Sequence, residues 1–542
     1  MIQCRIYFRL DARVLLMVVT VVTRSNFSSL LPSILHHIKD ADFIAFDTEL
    51  TGLTTGPQSK YFYYDDIRDR YRKLRDSGTS FGMLQIGLSA FKHKKSGNGD
   101  KYTTTSWSFH LFPSVSTGGN DYRRWTVQLS AISFLREHGF DFNKTFLDGI
   151  SYLSLREEAD LRAKQGQISK SDKEINMKEE DKMFLKEAME NVRAWISQGH
   201  SEPLVFPACN SFQRLLLYQY LPKEFGEALI VKKATDANGD TCVSVVLHNV
   251  EERKKALDDE IAEFEKNIVE QIGFRRIFDF ILAQKKPLVG HNCWLDLCHI
   301  YQKFIGPLPL DWNGFKEVFA KHFNAPLLDT KFLATHLVGR SLLTVPGTSL
   351  EQLATCADDP SVWGVKVRVD GGKTKNQGKQ SFHDAGFDAH CTGKVLVGVA
   401  SILAKENSKS LPESLATLME QELSNRIFMM QSDVESVVLA GPGEQSYPDR
   451  DHLHVLTDLA FSVGASQVLD AAVKLGAERS KTMLYWADSR TVYIACEGFT
   501  PSAATVTLET ADGDVTLRCM SYSSWKQIAE ETPSKRPRPN HS

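Results

Sequence analysis

The sequence predicts a mixed α/β fold built from more than one domain, and three observations carry that prediction. Apolar segments with the period-two alternation of strands trade places with segments of helical periodicity through residues 24–153, and again through 286–404. A charge-dense region lies between the two stretches, so one α/β pattern is interrupted by a segment of different composition. The chain has 542 residues, and a single hydrophobic core organises only about 100–200.

The elements follow in order. Residues 1–22 form an N-terminal extension in which "VLLMVVTVV" (14–22) follows Arg5, Arg9 and Arg13. That stretch fits a short signal region behind a basic start, an apolar lead-in to the first domain, an over-extended start with Met17 as initiator, or a mitochondrial targeting segment. The first part of the main domain is assigned to 23–165. It holds a helix and strand in "SLLPSILHHIKDADFIAFDTEL", strands in "FGMLQIGLSAF" and "SWSFHLFP", and two helical pieces hinged at Gly139 in "AISFLREHGFDFNKTFLDGISYL". An inserted small domain is expected over 166–255, with charged helices on either side as an antiparallel stalk. The segment "EERKKALDDEIAEFEKNIVEQIGFRRIFDFILAQ" reads as one helix leading back out. The main domain resumes over 256–410, and residues 424–520 alternate short strands and helices as a compact α+β domain. The Pro-rich, basic end 521–542 is expected to be disordered and offers "PSKRPRP" as a short nuclear-import signal.

Composition sets limits on function. The charged residues (64 Lys and Arg against 67 Asp and Glu) leave a net charge of −3, which argues against a general nucleic-acid coat but allows local basic patches. Nine cysteines without a C-x-x-C suit a reducing compartment better than a disulfide or zinc framework. Cys293 and Cys298 read as core. No run reaches the roughly 18 apolar residues that a membrane span needs.

Chemistry is suggested by carboxylates in apolar settings. In "FIAFDTELTGL" a strand's alternation aims Asp47 and Glu49 to the same side. Two like charges so close repel unless a cation lies between them, and oxygen ligands suit Mg²⁺. By itself the pair also fits a half-exposed strand edge. In "GHNCWLDLCH" Asp296 falls in the first turns of a helix behind a buried strand, where it could simply complement the helix dipole. In "HDAGFDAH" a lead-in loop would carry His383 and a helix Asp388, with Gly386 permitting a tight entry. Four acids suffice for two cations about 4 Å apart, the arrangement used in phosphodiester hydrolysis.

The ordered set Asp47, Glu49, Asp296, His383, Asp388 resembles the DEDDh class of 3′→5′ exonucleases. The segments "ADFIAFDTELTGL", "HGFDFNKTFLDGISYL", "FQRLLLYQYL", "GHNCWLDLCHIYQKFIGPLP", "LLDTKFLAT" and "HDAGFDAHCTG" are similar to the poly(A)-specific ribonuclease family, which includes piRNA 3′-end trimmers. The resemblance covers residues 23–405, and more weakly extends to near 525. It implies a ribonuclease-H-like core, an inserted R-x-x-x-H-type single-strand-binding domain and a C-terminal RNA-recognition-motif-like domain. It implies that Asp47, Glu49, Asp296 and Asp388 hold two divalent cations (Mg²⁺, or Mn²⁺), with Asp47 shared. His383 would orient or deprotonate water, and nucleoside 5′-monophosphate would be released from a poly(A) 3′ end. Lys331 would reach a phosphate, Asp329 would support the ligands, and Leu50 and Phe109 would pack on terminal nucleotides. Arg214 occupies the inserted domain's signature arginine position, but Tyr218 stands where the histidine belongs. Trp486 matches a tryptophan that stacks on the mRNA cap, while "RTVYIACE" offers only Tyr493 for base stacking on the sheet. A homodimer of nucleus and cytoplasm follows from the same resemblance and the basic tail. Deadenylation of mRNA, trimming of small or noncoding RNA, an inactive RNA-binding scaffold and DNA proofreading remain alternatives at this stage.

Overall fold

The computed structural model describes residues 19–531 except 97–98, 114–123, 169–176, 200–201, 227–228, 236–240, 248–249, 364–366, 368, 372–381, 421, 441–444, 446 and 511–512. The apolar run at 14–22 therefore lies mostly outside the described residues, as do most of the Gly/Lys-rich loop around 372–381 and the end beyond 531. The chain divides into two compact units, one of residues 1–150 with 274–542 and one of residues 151–273.

In the first unit the strands β1 (Val19–Val22), β2 (Phe43–Leu50), β3 (Met83–Ser96), β4 (Gly99–His110), β5 (Leu288–Gly290) and β6 (Leu327–Asp329) form one sheet in the order β1-β4-β3-β2-β5-β6. β2, β3 and β4 pair antiparallel, and β5 and β6 continue parallel beside β2. An antiparallel meander extended by two parallel strands is a ribonuclease-H-like sheet. β2 is central and covered on both faces, so Phe43, Ile44, Ala45 and Phe46 are all buried. The helix α1 (Arg24–Asp40) buries Phe27, Leu31, Ile34 and Ile38, the one-face spacing of an amphipathic helix.

Further helices position the site: α2 (Ile67–Ser80), α3 (Leu129–Glu137), α4 (Phe142–Asp148), α5 (Trp294–Ile300), α6 (Thr330–Gly339) and α7 (Ala385–Glu406). The turn between α3 and α4 falls at Gly139, with φ +80°. Among the described residues α7 is the one helix long and apolar enough to cross a bilayer. It is instead the buried helix of the core, packed through Val395, Leu396, Val399 and Ala400 with Phe43 and Phe91 of the sheet. Two glycines let it come that close. A Cβ on Gly87 of β3 would meet Ala385 O at 1.8 Å, and one on Gly386 would meet Ser108 Oγ at 2.3 Å. Only bare backbone at both positions allows the start of α7 to lie directly on β3 and β4.

The same unit contains the C-terminal α+β domain. Its antiparallel sheet runs in the order Met483–Trp486, Val492–Ala495, Leu453–Thr457, Gly513–Ser521, Thr505–Thr510. One face packs on helix Ala465–Lys474 through Leu456, Val492, Ile494 and Leu517. On the other face Val455, Tyr493 and Ala495 meet Phe62 and Tyr64 of the main domain and Trp525. Segment 521–542, expected to be disordered, begins with helix Tyr522–Glu531. Its Trp525 caps the sheet and its Lys526 bonds Asp66 and Asp69 at 2.9 and 2.5 Å.

The second unit, Ser151–Gly273, is wider than the expected 166–255 because both flanking helices belong to it. Arg162 of helix Leu155–Ile168 bonds Glu265 of helix Val250–Ile272 at 2.6 Å. Between them Trp195, Phe206, Leu217, Leu221, Val243 and Val245 form a small core over a three-stranded sheet. The segment read as one long helix stops at Ile272, and Gly273, with φ +47°, ends the unit before a separate helix at Arg275–Ala283.

Candidate active site

The carboxylates converge where β2 ends and α7 begins. Asp47 sits opposite Gly87 in the β2–β3 register. The start of α7, docked on Gly87, therefore delivers His383 and Asp388 beside Asp47 and Glu49. Ligand atoms of Glu49, His383 and Asp388 all lie within 4.8 Å of one another. Thr48 alternates to the other side of the strand, where its hydroxyl donates to Asp296 Oδ1. That bond ties the first turn of α5 to β2.

A network unforeseen from the sequence locks the entry to α7. Asp384 is its N-cap, accepting from Phe387 N at 3.1 Å, Ser108 Oγ at 2.6 Å and Gln85 Nε2 at 3.4 Å. Gln85 Oε1 accepts from Ala385 N at 2.9 Å, and Gln85 Nε2 also donates to His110 Nε2 at 3.2 Å. His110 thus carries its proton on Nδ1 and donates to Thr145 Oγ1 at 3.1 Å. Burial, then Lys144, keeps this imidazole neutral, with its pKa lowered to about 4. An Asp preceding a helix of small residues is a visible capping signal. Gln85 and Ser108 carry no local signal, because their partner lies almost 300 residues away.

His383 adopts φ +73°, a left-handed backbone that costs a residue with a Cβ about 1 kcal/mol or more. The turn directs its N–H to Asp388 Oδ2 at 2.9 Å. Its ring packs edge-on against Phe134 and His138, with centroids at 4.5 and 4.3 Å. His138 caps α3 and donates from Nδ1 to Phe134 O at 2.8 Å. Burial, then His138, lowers the His383 pKa below its ordinary value. Phe134 and His138 are absent from the sequence-derived set.

Electrostatics mark the cluster as a set of buried, mutually repelling acids. Burial, then Asp388, Asp296 and Glu49, holds the Asp47 carboxyl well above the usual range. Burial, then Asp388, Asp384 and Asp296, does the same to Glu49. Asp296 is pushed up to about 6 by burial, against the bond from Thr48, and Asp388 to about 7 by burial, against the His383 N–H. Asp388 Oδ1 is buried with no hydrogen-bond partner among the described residues. An orphaned carboxylate oxygen among mutually repelling acids is what a site for hard divalent cations requires, so the residues fit Mg²⁺ or Mn²⁺.

The other expected contacts divide. Leu50, with Asp47, Glu49 and Asp296, lines a cleft of about 750 Å³. Phe109 does not: it is fully buried against Phe274, since its side of β4 faces the protein interior, and no nucleotide can reach it. Asp329 is buried and accepts from Asn292 N, Lys331 N, Phe332 N and Phe428 N, so its oxygens hold backbone rather than metal. Lys331 Nζ donates to Thr348 O at 3.1 Å and lies 5.4 Å from the Phe428 ring. In the second unit Arg214 bonds Cys209 O and Ser211 Oγ, bracing the start of its own helix. Trp486 is partly exposed on an edge strand, while Tyr493 is buried against Phe62. Cys293 and Cys298 are buried core.

A family model described as CAF1 family ribonuclease matches residues 22–396. The chain belongs to the CAF1 ribonuclease family. The poly(A)-specific ribonuclease PARN of Xenopus laevis is 27% identical over 537 residues, 95% of this chain and 83% of that protein. The pre-piRNA 3′-exonuclease trimmer of Bombyx mori is 29% identical over 400 residues, 71% of this chain and 72% of that protein. Among solved structures, S. pombe Pop2p in its Mg²⁺- and Mn²⁺-bound form aligns at TM-score 0.32 and 14% identity over 70% of this chain and 90% of that one. All five acid and histidine positions of the site lie within the CAF1 match.

Proposed function

We propose that this CAF1 ribonuclease is a divalent-cation-dependent 3′→5′ exoribonuclease that removes poly(A) and releases 5′-AMP. The observation that carries the proposal is the cluster of Glu49, His383 and Asp388 within 4.8 Å, with Asp47 and Asp296 near enough to repel it and Asp388 Oδ1 without a partner among the described residues. Asp47, Glu49, Asp296 and Asp388 are the residues that would hold two cations. Held by these carboxylates, two cations would supply Lewis-acid chemistry for phosphodiester hydrolysis. His383, neutral at pH 7 because its pKa is lowered, accepts the proton of the attacking water. The phosphorus–O3′ bond breaks, the shortened chain keeps a 3′-hydroxyl, and the terminal nucleotide leaves with its 5′-phosphate. Leu50, at the end of β2, packs on the terminal nucleotide.

Trimming of small RNA is the second reading, favoured by the similarity to the silkworm trimmer. Both use one site and differ in the 3′ ends they accept. The proposal extends to a homodimer of nucleus and cytoplasm, and to cap contact at Trp486, whose partial exposure supports it. Incubation with Mg²⁺ and 5′-labelled RNAs ending in A, C or U runs tests these readings. Deadenylation predicts selective shortening of A-ended RNA, and trimming predicts shortening of all three. An Asp47→Ala chain as active as the parent would overturn both.

A further inference from the structure

The cleft lined by Asp47, Glu49 and Asp296 has a wall outside the CAF1 match. Phe428, which ends strand Arg426–Phe428, and Met430 and Gln431 of the turn that follows line the same space of about 750 Å³ as Asp47, Glu49 and Asp296. We propose that this turn is a nucleobase subsite, with Phe428 and Met430 as its apolar face and the Gln431 carboxamide at the edge of an adenine. The inference rests on the exoribonuclease reading and adds a source of base selectivity to it.

Two buried groups build the turn into the cleft. Asp329 accepts Phe428 N on Oδ2 at 3.1 Å while its Oδ1 accepts Asn292 N at 2.8 Å, just before the helix that carries Asp296. One carboxylate therefore sets the wall and the approach to α5 together. Arg70 donates to Met430 O at 2.6 Å and Gln431 O at 3.2 Å. Its charge is balanced by Asp65 at 3.1 Å, and its guanidinium lies 4.2 Å from the Tyr61 ring centroid. With the carbonyls of the turn held inward, Gln431 takes φ +51° and its side chain is exposed at the cleft. Lys331 Nζ, 5.4 Å from the Phe428 ring, adds a cation beside the aromatic face.

The occupant follows from the chemistry of this wall. Its aromatic ring, thioether and carboxamide suit a flat heterocycle better than a phosphate. Bases stack on aromatic side chains with little regard to sequence. A glutamine carboxamide pairs in two-point fashion with adenine N6 and N7. Phe428 would thus contribute affinity, and Gln431 preference for A.

The test uses the full chain carrying Phe428→Ala, Phe428→Tyr or Gln431→Ala, with hydrolysis and binding read separately. Hydrolysis is followed in Mg²⁺ on RNAs ending in A, C or U runs. Binding of fluorescent oligo(A) and oligo(C) is measured by anisotropy in an Asp388→Asn background, so that it does not depend on turnover. Phe428→Ala is expected to weaken oligo(A) binding and raise KM about tenfold, and Phe428→Tyr to restore both. Gln431→Ala is expected to reduce the A-over-C preference about tenfold. Parent-like affinity and base preference in Phe428→Ala and Gln431→Ala would overturn the subsite while leaving the nuclease reading intact. Oligo(A) binding that depends on Phe428 in a parent that hydrolyses nothing would uphold the subsite and sink the nuclease reading.

Discussion

His383 shows how much of the chemistry rests on single side chains. Its backbone is left-handed, its N–H is taken by Asp388, and its ring leans on His138 and Phe134. Removal of one ring neighbour should loosen the imidazole without touching substrate. We expect His138→Ala to lower kcat about tenfold at unchanged KM, and His138→Phe, which keeps a flat ring in place, to recover most of the loss. Equal steady-state kinetics in parent and His138→Ala would show that the contact does not position His383. Asp388 makes a different prediction. At pH 8 in chelator its carboxylate is buried, partly unpartnered and repelled by Asp384. Asp388→Asn should raise the stability of the metal-free protein by up to about 4 kcal/mol, the rise from 3.8 to about 7 taken at roughly 1.4 kcal/mol per pKa unit, while lowering activity about a thousandfold. Urea unfolding with and without Mg²⁺ checks the first half. The residues of this site were legible because their types and order are unusual: D-x-E, a helix-borne Asp, then His and Asp five apart. Phe109 was misplaced because alternation in a strand tells which residues share a face, not whether that face meets a cleft or a second layer of protein.

The elements meet through backbone, and that part of the fold was hidden in the sequence. α7 delivers His383 and Asp388 only because Gly87, in a strand, leaves room for Ala385 O. Gly87→Ala should cost about 3 kcal/mol through overpacking and push the start of α7 away from β2. Cation affinity, measured by titration calorimetry, should then fall further than stability alone accounts for. Unchanged affinity in a folded Gly87→Ala protein would show that α7 is not held in this way. Within "FGMLQIGLSAF" the glycine reads as a mild fault in a strand, and its meaning comes from a helix almost 300 residues later. The strand and helix pattern itself was readable, because β2 is apolar throughout and α1 has one apolar face. The inserted unit was legible as an interruption, but its ends were not, since charged helices look alike whether they connect units or belong to one.

At the scale of the molecule, the C-terminal sheet is fastened to the main domain. Arg450 bonds both oxygens of Asp433, Tyr64 O and the Tyr522 hydroxyl. Phe62 stacks on Tyr493 at 4.7 Å. Arg450→Ala should cost about 3 kcal/mol, because it strands Asp433 half-buried without its partner, and should speed amide exchange in Leu453–Thr457. Exchange as slow as in the parent would contradict that coupling. The few aromatics of this sheet could be counted in the sequence, but their burial by Phe62 and Tyr64 could not. The carboxylate cluster also adds its own term to the pH response of the fold. Asp388 in the fold has a pKa of about 7, above the 3.8 of an ordinary Asp. Between these values the metal-free fold therefore holds a proton on Asp388 that the unfolded chain has lost, so this group's contribution to stability falls as pH rises from about 4 to 7, while buried neutral His110 contributes in the opposite sense. Millimolar Mg²⁺ should remove most of that decline. The claim on which everything else depends is that these carboxylates form a cation-dependent nuclease site acting from the 3′ end. It is tested most directly by following 5′-labelled and 3′-labelled oligo(A) RNA side by side with Mg²⁺, with chelator, and with Asp47→Ala. Such a site predicts a descending ladder from the 5′ label and early release of labelled mononucleotide from the 3′ label, both absent in chelator and in the variant. Internal cleavage products, or a ladder that persists without divalent cations, would contradict it.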